Sequence, residues 1–258
     1  MILEQFSLKG KVALVTGGAG LFGRQIVQSL AEAGARTYLA SRDLDASEKV
    51  AEQHRAAGHD VIALQVDQSQ EVSVLSLRDE IASRGDAVDV LVNNAVTRPM
   101  KSYDDDAAAF AASMEVNATG LFQITRAIGD VMAARGNGSI ININSIYGVV
   151  APDPTNYRGT DFHGWLPDYA FHKGGMIALT RFIASYYGSR GVRCNNLSAG
   201  GFFNNQPEPF VRQYCEHTML GRMAGESDLM GAIVFLASDA SLYLTGTNIP
   251  IDGGYTAK

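Results

Sequence analysis

The sequence predicts a doubly wound α/β fold, with one parallel sheet of about seven strands flanked by helices. Three observations predict it: short apolar β-rich runs, segments with a helical period between them, and alternation of the two along the whole chain. Runs this apolar are typical of strands that are buried on both faces. No repeat, low-complexity tract or linker divides the chain, so we expect a single domain over residues 1–258.

The elements follow one another in a regular order. The predicted strands are residues 12–16, 37–40, 61–66, 88–92, 140–143, 192–195 and 248–251. The predicted helices are residues 21–33, 46–57, 71–84, 107–134, 169–187 and 227–237. Sheets of this class bind ligands beyond the carboxyl ends of their strands, so the residues that follow each strand are the candidates for a site.

Composition and charge exclude several classes of function. Lys and Arg number 21 against 27 Asp and Glu, and a net charge of −6 has the wrong sign for binding nucleic acid. No apolar run approaches the roughly 18 residues of a membrane helix, and the N-terminus lacks a signal-peptide pattern. The two cysteines fit a reducing compartment, so we expect a cytoplasmic protein. The five histidines have no metal-binding spacing, so we expect no metal. We likewise expect neither a nucleic-acid partner nor a membrane partner.

A glycine-rich turn follows the first strand and leads into a helix. The turn contains Gly17, Gly20 and Gly23, with Leu21 and Phe22 between the last two glycines. Glycines let the backbone approach a phosphate closely, while free N–H groups and the helix dipole supply positive charge. This arrangement predicts dinucleotide binding of the Rossmann type, although a purely structural turn is the alternative.

The end of the second strand bears on the choice of dinucleotide. Ser41 and Arg42 offer a hydroxyl and a cation where an acidic residue would accept from ribose hydroxyls and repel a phosphate. The pair favours NADP(H), with NAD(H) as the other candidate. The alternative is that Arg42 pairs in water with Asp43 or Asp45 and is indifferent to the cofactor.

Tyr169 and Lys173 are four residues apart in a predicted helix. Side chains at this spacing share a face, so both can point into one pocket. A nearby ammonium group and the helix N-terminus both stabilise a phenolate, which lets a tyrosine exchange a proton at neutral pH. The spacing also arises by chance, and alone it describes an ordinary exposed pair.

Further motifs stand in a fixed order along the chain. They are Thr16-Gly17, Asp67 after the third strand, Asn93-Asn94-Ala95 after the fourth, Asn117 in a long helix, Ser145 after the fifth, Tyr169 with Lys173, and Asp252-Gly253-Gly254. With these motifs the chain from Lys11 to about Ala257 resembles the classical short-chain dehydrogenase/reductase family. It is also similar to a subgroup assigned to bacterial sugar pathways, including flagellin-glycan modification.

The resemblance implies a catalytic set. In it Tyr169 transfers the proton, and Ser145 hydrogen-bonds the substrate oxygen. Lys173 holds the nicotinamide ribose and stabilises the phenolate, and the backbone at Asn117 anchors a water molecule. Charge develops on the substrate oxygen as hydride moves, so donors fixed around that oxygen stabilise the transition state.

The resemblance also implies the remaining cofactor contacts. Asp67 accepts from the adenine amine, and Asn94 and Ala95 line the cofactor channel. Three further cofactor candidates follow the sixth strand: Gly200, Phe202 and Asn204.

The sequence departs from the family pattern at several positions. Leu21 replaces the middle glycine of TGxxxGxG, which leaves the spacing GxxGxxG and puts the path of the loop in question. Val96 replaces a glycine, Ala199 replaces a proline, and Asn204 replaces a threonine that often contacts the carboxamide.

Ser145 and Tyr169 are 24 positions apart, about twice the usual spacing in the family. The extra residues, about 151–168, predict a substrate loop. Arg158 and His163 are weak candidates for binding hydroxyls or a carboxylate, and Trp165 for stacking on a sugar face. Tyr147 is a further weak substrate candidate. The alternative is that the tryptophan covers the core and the arginine is solvated.

Together these features predict an NAD(P)(H)-dependent oxidoreductase that interconverts a secondary alcohol and a ketone on a sugar or sugar-acid substrate. Two alternatives stay open: a 3-oxoacyl thioester reductase, and a non-catalytic module that senses the dinucleotide. The resemblance further implies a homotetramer or a homodimer.

Overall fold

The computed structural model describes residues 1–161 and 164–257. Its seven strands are β1 (Val12–Thr16), β2 (Arg36–Ser41), β3 (Val61–Gln65), β4 (Val90–Asn93), β5 (Gly138–Ser145), β6 (Val192–Ala199) and β7 (Asn248–Ile251). The eight α-helices of the described residues are α1 (Leu21–Glu32), α2 (Leu44–Ala56), α3 (Glu71–Ser83), α4 (Ala107–Met114), α5 (Leu121–Arg135), α6 (Pro167–Gly188), α7 (Glu208–His217) and α8 (Met230–Ala237).

The strands form one parallel sheet in the order β3-β2-β1-β4-β5-β6-β7. This order reverses direction between β1 and β4, which is the switch point where ligands bind in doubly wound sheets. The prediction of a single Rossmann-type domain with about seven strands is confirmed. No helix of residues 1–161 and 164–257 combines the length and the apolar character needed to cross a membrane.

Helices cover both faces of the sheet. On one face α1 and α8 bury Ile26, Leu30 and Leu236 against the strands. On the other, α3, α5 and α6 bury an apolar layer that includes Ile124 and Tyr187. Both layers fix the carboxyl edge of the sheet, where the loops of the site begin.

Three sequence-predicted boundaries were wrong. The predicted helix 107–134 is divided into α4 and α5 by a π-helical segment, Glu115–Gly120. Strand β5 continues to Ser145 and β6 to Ala199, because the backbones of the two strands stay paired as far as these two residues. Helix α7 was not predicted at all; it closes the substrate end of the site.

Candidate active site

A cavity of about 700 Å³ opens beyond the carboxyl ends of the strands. Its wall brings together these sequence-predicted residues: Gly17, Gly20, Leu21, Phe22, Ser41, Asn94, Ala95, Ser145, Tyr147, Tyr169, Gly200, Phe202 and Asn204. Seven other predicted residues of the described chain are not part of this wall: Gly23, Arg42, Asp67, Asn117, Arg158, Trp165 and Lys173.

The turn between β1 and α1 leaves no room for side chains at Gly17 and Gly23. Gly17 has φ of +65°, and a Cβ there would lie 2.9 Å from the Cα of Ala95. A Cβ on Gly23 would overlap the carbonyl oxygen of Gly17. Helix α1 has no side-chain N-cap, so the N–H groups of its first turn have no acceptor from a cap. Such a cradle fits the pyrophosphate of a dinucleotide.

The departure at Leu21 leaves this cradle intact. Gly20 is the N-cap of α1 in extended conformation, and Leu21 begins the helix with its side chain about half exposed on the cavity wall. The amide of Asn94 fastens the loop, because its Nδ2 donates to the carbonyl oxygens of Thr16 at 3.1 Å and Gly17 at 2.9 Å.

One end of the cavity lies at the tip of β2, where Ser41 is part of the wall. Ser41 Oγ donates to the carbonyl oxygen of Asp43 at 2.9 Å and lies 2.8 Å from Ser47 Oγ. The carboxylate of Asp43 accepts from the backbone of Ala46 at 2.9 Å and so caps α2. Arg42 is exposed, and within the described chain it makes no ion pair with either Asp43 or another carboxylate.

Asp67 lies after β3, close to this end. Its Oδ1 accepts from the backbone N–H of Ser69 at 3.0 Å and from Ser69 Oγ at 2.7 Å. The hydrogen bond from the Ser69 hydroxyl is the main cause that lowers the pKa of Asp67, and the charge of Arg42 adds to it. The carboxylate is therefore ionised and can accept further hydrogen bonds.

Tyr169 stands in the first turn of α6, which Pro167 starts. One turn later Lys173 is buried, and its Nζ donates to the carbonyl oxygen of Ile143 at 2.7 Å and lies 5.6 Å from the centre of the Tyr169 ring. Burial is the main cause that lowers the pKa of Lys173 to about 7, and the charge of Arg98 lowers it further. Lys173 is thus a buried neighbour of the phenol ring and is not itself on the cavity wall.

Arg98 is a site residue that the sequence analysis missed. Its guanidinium carbon lies 4.7 Å from the centre of the Tyr169 ring, and its Nη2 lies 3.4 Å from the tyrosine oxygen. Among the described residues, it is the only Lys or Arg on the cavity wall. The signal was a cation three positions beyond Ala95, in the loop after β4.

Ser145 and Asn117 are fixed by their local structure. Ser145 is the last residue of β5, and its Oγ accepts from the backbone of Tyr147 at 3.2 Å while facing the cavity. Asn117 lies in the π-helical segment, and its side chain bonds Thr97 and Ser113. Such segments interrupt helices most often at functional sites, because they re-aim the backbone.

The wall opposite Tyr169 comes from the segment after β6. The Phe202 ring meets the Phe22 ring edge-on at 5.4 Å, so it closes the cavity over the glycine loop. A Cβ on Gly200 would lie 2.9 Å from the Cα of Asp252. The backbone N–H of Asn204 donates to Gln206 Oε1 at 2.7 Å, which leaves its side chain on the wall.

The four substrate candidates have different positions. Tyr147 lies on the cavity wall, and its hydroxyl is 2.6 Å from that of Tyr157, a residue the sequence analysis did not choose. Arg158 and Trp165 are exposed and are not part of the wall. His163 lies outside the described residues. Helix α7 adds a further unpredicted wall from Phe210 and Tyr214.

A phosphate cradle, a tyrosine over a buried lysine and a serine on one cavity wall define a dinucleotide-dependent oxidoreductase. Comparison with known proteins agrees. A family model described as enoyl-(acyl carrier protein) reductase matches residues 19–256. Galactitol 2-dehydrogenase (L-tagatose-forming) of Cereibacter sphaeroides is 32% identical over 259 residues, which cover 97% of this chain and 97% of that protein.

Two further relatives match over their full length. The 2-dehydro-3-deoxy-D-gluconate 5-dehydrogenase of Pseudoalteromonas atlantica is 32% identical over 271 residues, covering 100% of both chains. The crystal structure of a gluconate 5-dehydrogenase from Burkholderia cenocepacia, in complex with NADP and tartrate, superposes with a TM-score of 0.91 at 30% identity and also covers 100% of both chains.

The chain belongs to the short-chain dehydrogenase/reductase family, as the resemblance predicted. It is therefore an NAD(P)-dependent oxidoreductase that acts on CH–OH groups. A non-catalytic sensing role is thereby set aside. The finer assignment to flagellin-glycan pathways stays a prediction.

Proposed function

We propose that this enzyme interconverts a secondary alcohol and a ketone on a polyol or a sugar acid. The observation that carries the proposal is the position of Tyr169, whose ring centre lies 5.6 Å from Lys173 Nζ and 4.7 Å from the guanidinium carbon of Arg98, on a wall shared with Ser145. The tyrosine hydroxyl is thereby placed to give and take the proton of the reacting oxygen.

Each residue of the set has a distinct task. When bound, the nicotinamide accepts or supplies the hydride at the reacting carbon. Tyr169 exchanges the proton, and the Ser145 hydroxyl donates to the same substrate oxygen, where negative charge develops. Lys173 would hold the nicotinamide ribose and assist the tyrosine in the proton exchange, and the backbone at Asn117 would hold a water molecule that carries protons onward.

We assign the dinucleotide to the cavity in two halves. The pyrophosphate takes the loop of Gly17, Gly20 and Gly23 with Leu21 and Phe22, as the close backbone approaches at Gly17 and Gly23 support. Asp67 accepts from the adenine amine. The nicotinamide half takes the wall built by Asn94, Ala95, Gly200, Phe202 and Asn204.

We infer a preference for NADP(H) over NAD(H). Arg42 is exposed at the tip of β2 and is not neutralised by Asp43, whose carboxylate caps α2 instead. A guanidinium group is suited to a phosphate because its donors match the phosphate oxygens. Ser41 adds a hydroxyl on the cavity wall.

The substrate class follows from the charge on the wall and from the relatives. Arg98 presents a cation beside the tyrosine oxygen, which suits a carboxylate or a polarised hydroxyl. The named relatives act on galactitol and on 2-dehydro-3-deoxy-D-gluconate, and one neighbouring structure is a gluconate 5-dehydrogenase that holds tartrate. The description of the matching family model keeps a thioester of an acyl carrier as the second candidate.

A substrate panel tests this assignment. With NADP⁺ or NAD⁺, we expect reduced nicotinamide to accumulate, measured by its absorbance, with at least one of galactitol, threitol, xylitol and gluconate. We expect the reverse reaction with a 3-oxoacyl thioester and NADPH to be at least about tenfold less efficient in kcat/KM, because its acyl chain leaves the tyrosine hydroxyls and the guanidinium of the wall unpaired. Activity with the thioester alone would contradict the proposal.

The residues at about 151–168 form the substrate-loop insertion in this proposal. Arg158, His163 and Trp165 stay predicted substrate contacts. The cytoplasm is the proposed location, since the described chain has two free cysteines and burial raises the pKa of Cys194 to about 12.

We also propose that the enzyme is a homodimer or a homotetramer. Helices α5 and α6 expose aromatic side chains at Phe122, Phe171, Phe182 and Tyr186, the last two stacked on each other. Exposed apolar patches of this kind mark interaction surfaces. We expect light scattering to give about two or four times 27.6 kDa, and Phe182→Glu to lower that mass. A wild-type mass of one chain would contradict this.

A further inference from the structure

The substrate end of the cavity contains two tyrosine hydroxyls in direct contact. Tyr147 follows β5 by two residues, and Tyr157 closes a 3₁₀ turn of the insertion, Pro154–Tyr157. Their oxygens are 2.6 Å apart, and both residues line the cavity that contains Ser145 and Tyr169. The pair is therefore placed where the part of a substrate away from the reacting carbon would lie.

Both phenols stay neutral. Burial is the main cause that raises the pKa of Tyr147 and that of Tyr157 above their ordinary value. Neutral hydroxyls both donate and accept, so two in contact can share hydrogen bonds with a third hydroxyl. A carbon-bound hydroxyl of a polyol has this same double character, whereas a methylene group has neither.

Polar contacts hold the first part of the insertion, up to Arg158, in place. The side chain of Asn156 is fully buried; its Nδ2 donates to the hydroxyl of Tyr255 at 2.7 Å, and its Oδ1 lies 2.6 Å from His217 Nδ1. One turn earlier on α7, Gln213 Nε2 donates to the carbonyl oxygen of Arg158 at 2.8 Å.

Packing supports the same arrangement. The ring of Tyr157 lies 5.5 Å from that of Phe210 on α7. The Tyr157 hydroxyl is thus preset by contacts on both sides of the insertion, and a ligand binding there does not have to order the loop first.

We propose that the hydroxyls of Tyr147 and Tyr157 form one subsite that binds a substrate hydroxyl other than the one oxidised. Tyr157 thereby selects polyhydroxylated substrates over simple alcohols. This rests on the proposed function, since it concerns the same cavity. Sites built to hydrogen-bond a hydroxyl discriminate strongly against analogues that lack it, because their own polar groups are then left unpaired.

Tyr157→Phe tests the subsite, because it removes one hydroxyl and keeps the ring against Phe210. With the best polyol of the panel, we expect KM to rise roughly five- to tenfold, the loss of one neutral hydrogen bond, while kcat stays within about threefold. With cyclohexanol, which has no second hydroxyl, kcat/KM should stay within about twofold. Tyr103→Phe, at an exposed tyrosine outside the wall, is the matched control and should leave both substrates unchanged.

A double variant separates a shared subsite from two independent contacts. If the hydroxyls act as one unit, Tyr147→Phe combined with Tyr157→Phe loses no more than about twofold beyond the worse single variant. Additive losses, an unchanged KM for the polyol, or equal losses for the polyol and cyclohexanol would each overturn the proposal.

Failure of the proposed function is distinguishable from failure of the subsite. If the wild type oxidises no polyol or sugar acid, the proposed function is wrong. Calorimetric titration of galactitol into the enzyme with NADP⁺ then tests whether the subsite binds a hydroxyl. Binding that weakens at least about fivefold in Tyr157→Phe supports it, whereas absent binding or equal affinity overturns it.

Discussion

Replacing Tyr169 by Phe should lower kcat by about a thousandfold or more while the enzyme still binds its dinucleotide. The change removes only the hydroxyl that exchanges the proton. The remaining ring keeps its neighbours, with the guanidinium of Arg98 at 4.7 Å, the ammonium of Lys173 at 5.6 Å and the ring of His172 at 5.2 Å. A thousandfold loss corresponds to about 4 kcal/mol of transition-state stabilisation.

The measurements are initial rates with the best substrate of the panel and the dissociation constant of NADPH from its fluorescence. Tyr103→Phe is the matched control, since it makes the same change at a side chain that is 74% exposed and is not part of the cavity wall. A Tyr169→Phe enzyme that retains more than about a tenth of its kcat would remove the tyrosine from the proton transfer. Loss of NADPH binding as well would instead indicate damage to the cavity.

The sequence analysis predicted the frame of the site because the relevant signals are local. The apolar strands, the glycine turn and the four-residue spacing of Tyr169 and Lys173 each depend on neighbours along the chain. Polar strand ends escaped this reasoning: Asn144 and Ser145 interrupt the apolar pattern, yet they continue β5 because the sheet supplies hydrogen-bond partners to their backbone. Propensity alone cannot anticipate partners that the fold brings from elsewhere.

The residues that were missed depend on contacts across the fold. Arg98 follows β4 by five residues and reaches Tyr169 only because the loops after β4 and β5 meet at one edge. Tyr157 contacts Tyr147 through a turn of the insertion. For α7 a local signal did exist, since Phe210 and Tyr214 have helical spacing, but the segment is only ten residues long.

Replacing Arg42 by Ala should weaken NADP⁺ binding about thirtyfold while NAD⁺ binding changes less than about twofold. A hydrogen bond to a charged group contributes roughly 2 kcal/mol, which is a little over one decade in affinity. Only NADP⁺ carries the 2′-phosphate that would receive it. Because Arg42 is exposed, the advantage of NADP⁺ in the wild type should also shrink as ionic strength rises.

Titration of each dinucleotide, followed by protein fluorescence, measures both constants. Lys49→Ala removes one positive charge from an exposed position of α2, so it controls for the change in net charge and should leave the two affinities as they are. Ser41→Asp should shift the cofactor preference towards NAD⁺, because a carboxylate at the tip of β2 accepts from ribose hydroxyls and repels a phosphate. Equal losses for both dinucleotides in Arg42→Ala would mean that the guanidinium stabilises the loop and does not bind the phosphate. The absence of an ion pair between Arg42 and Asp43 would then have no bearing on cofactor choice.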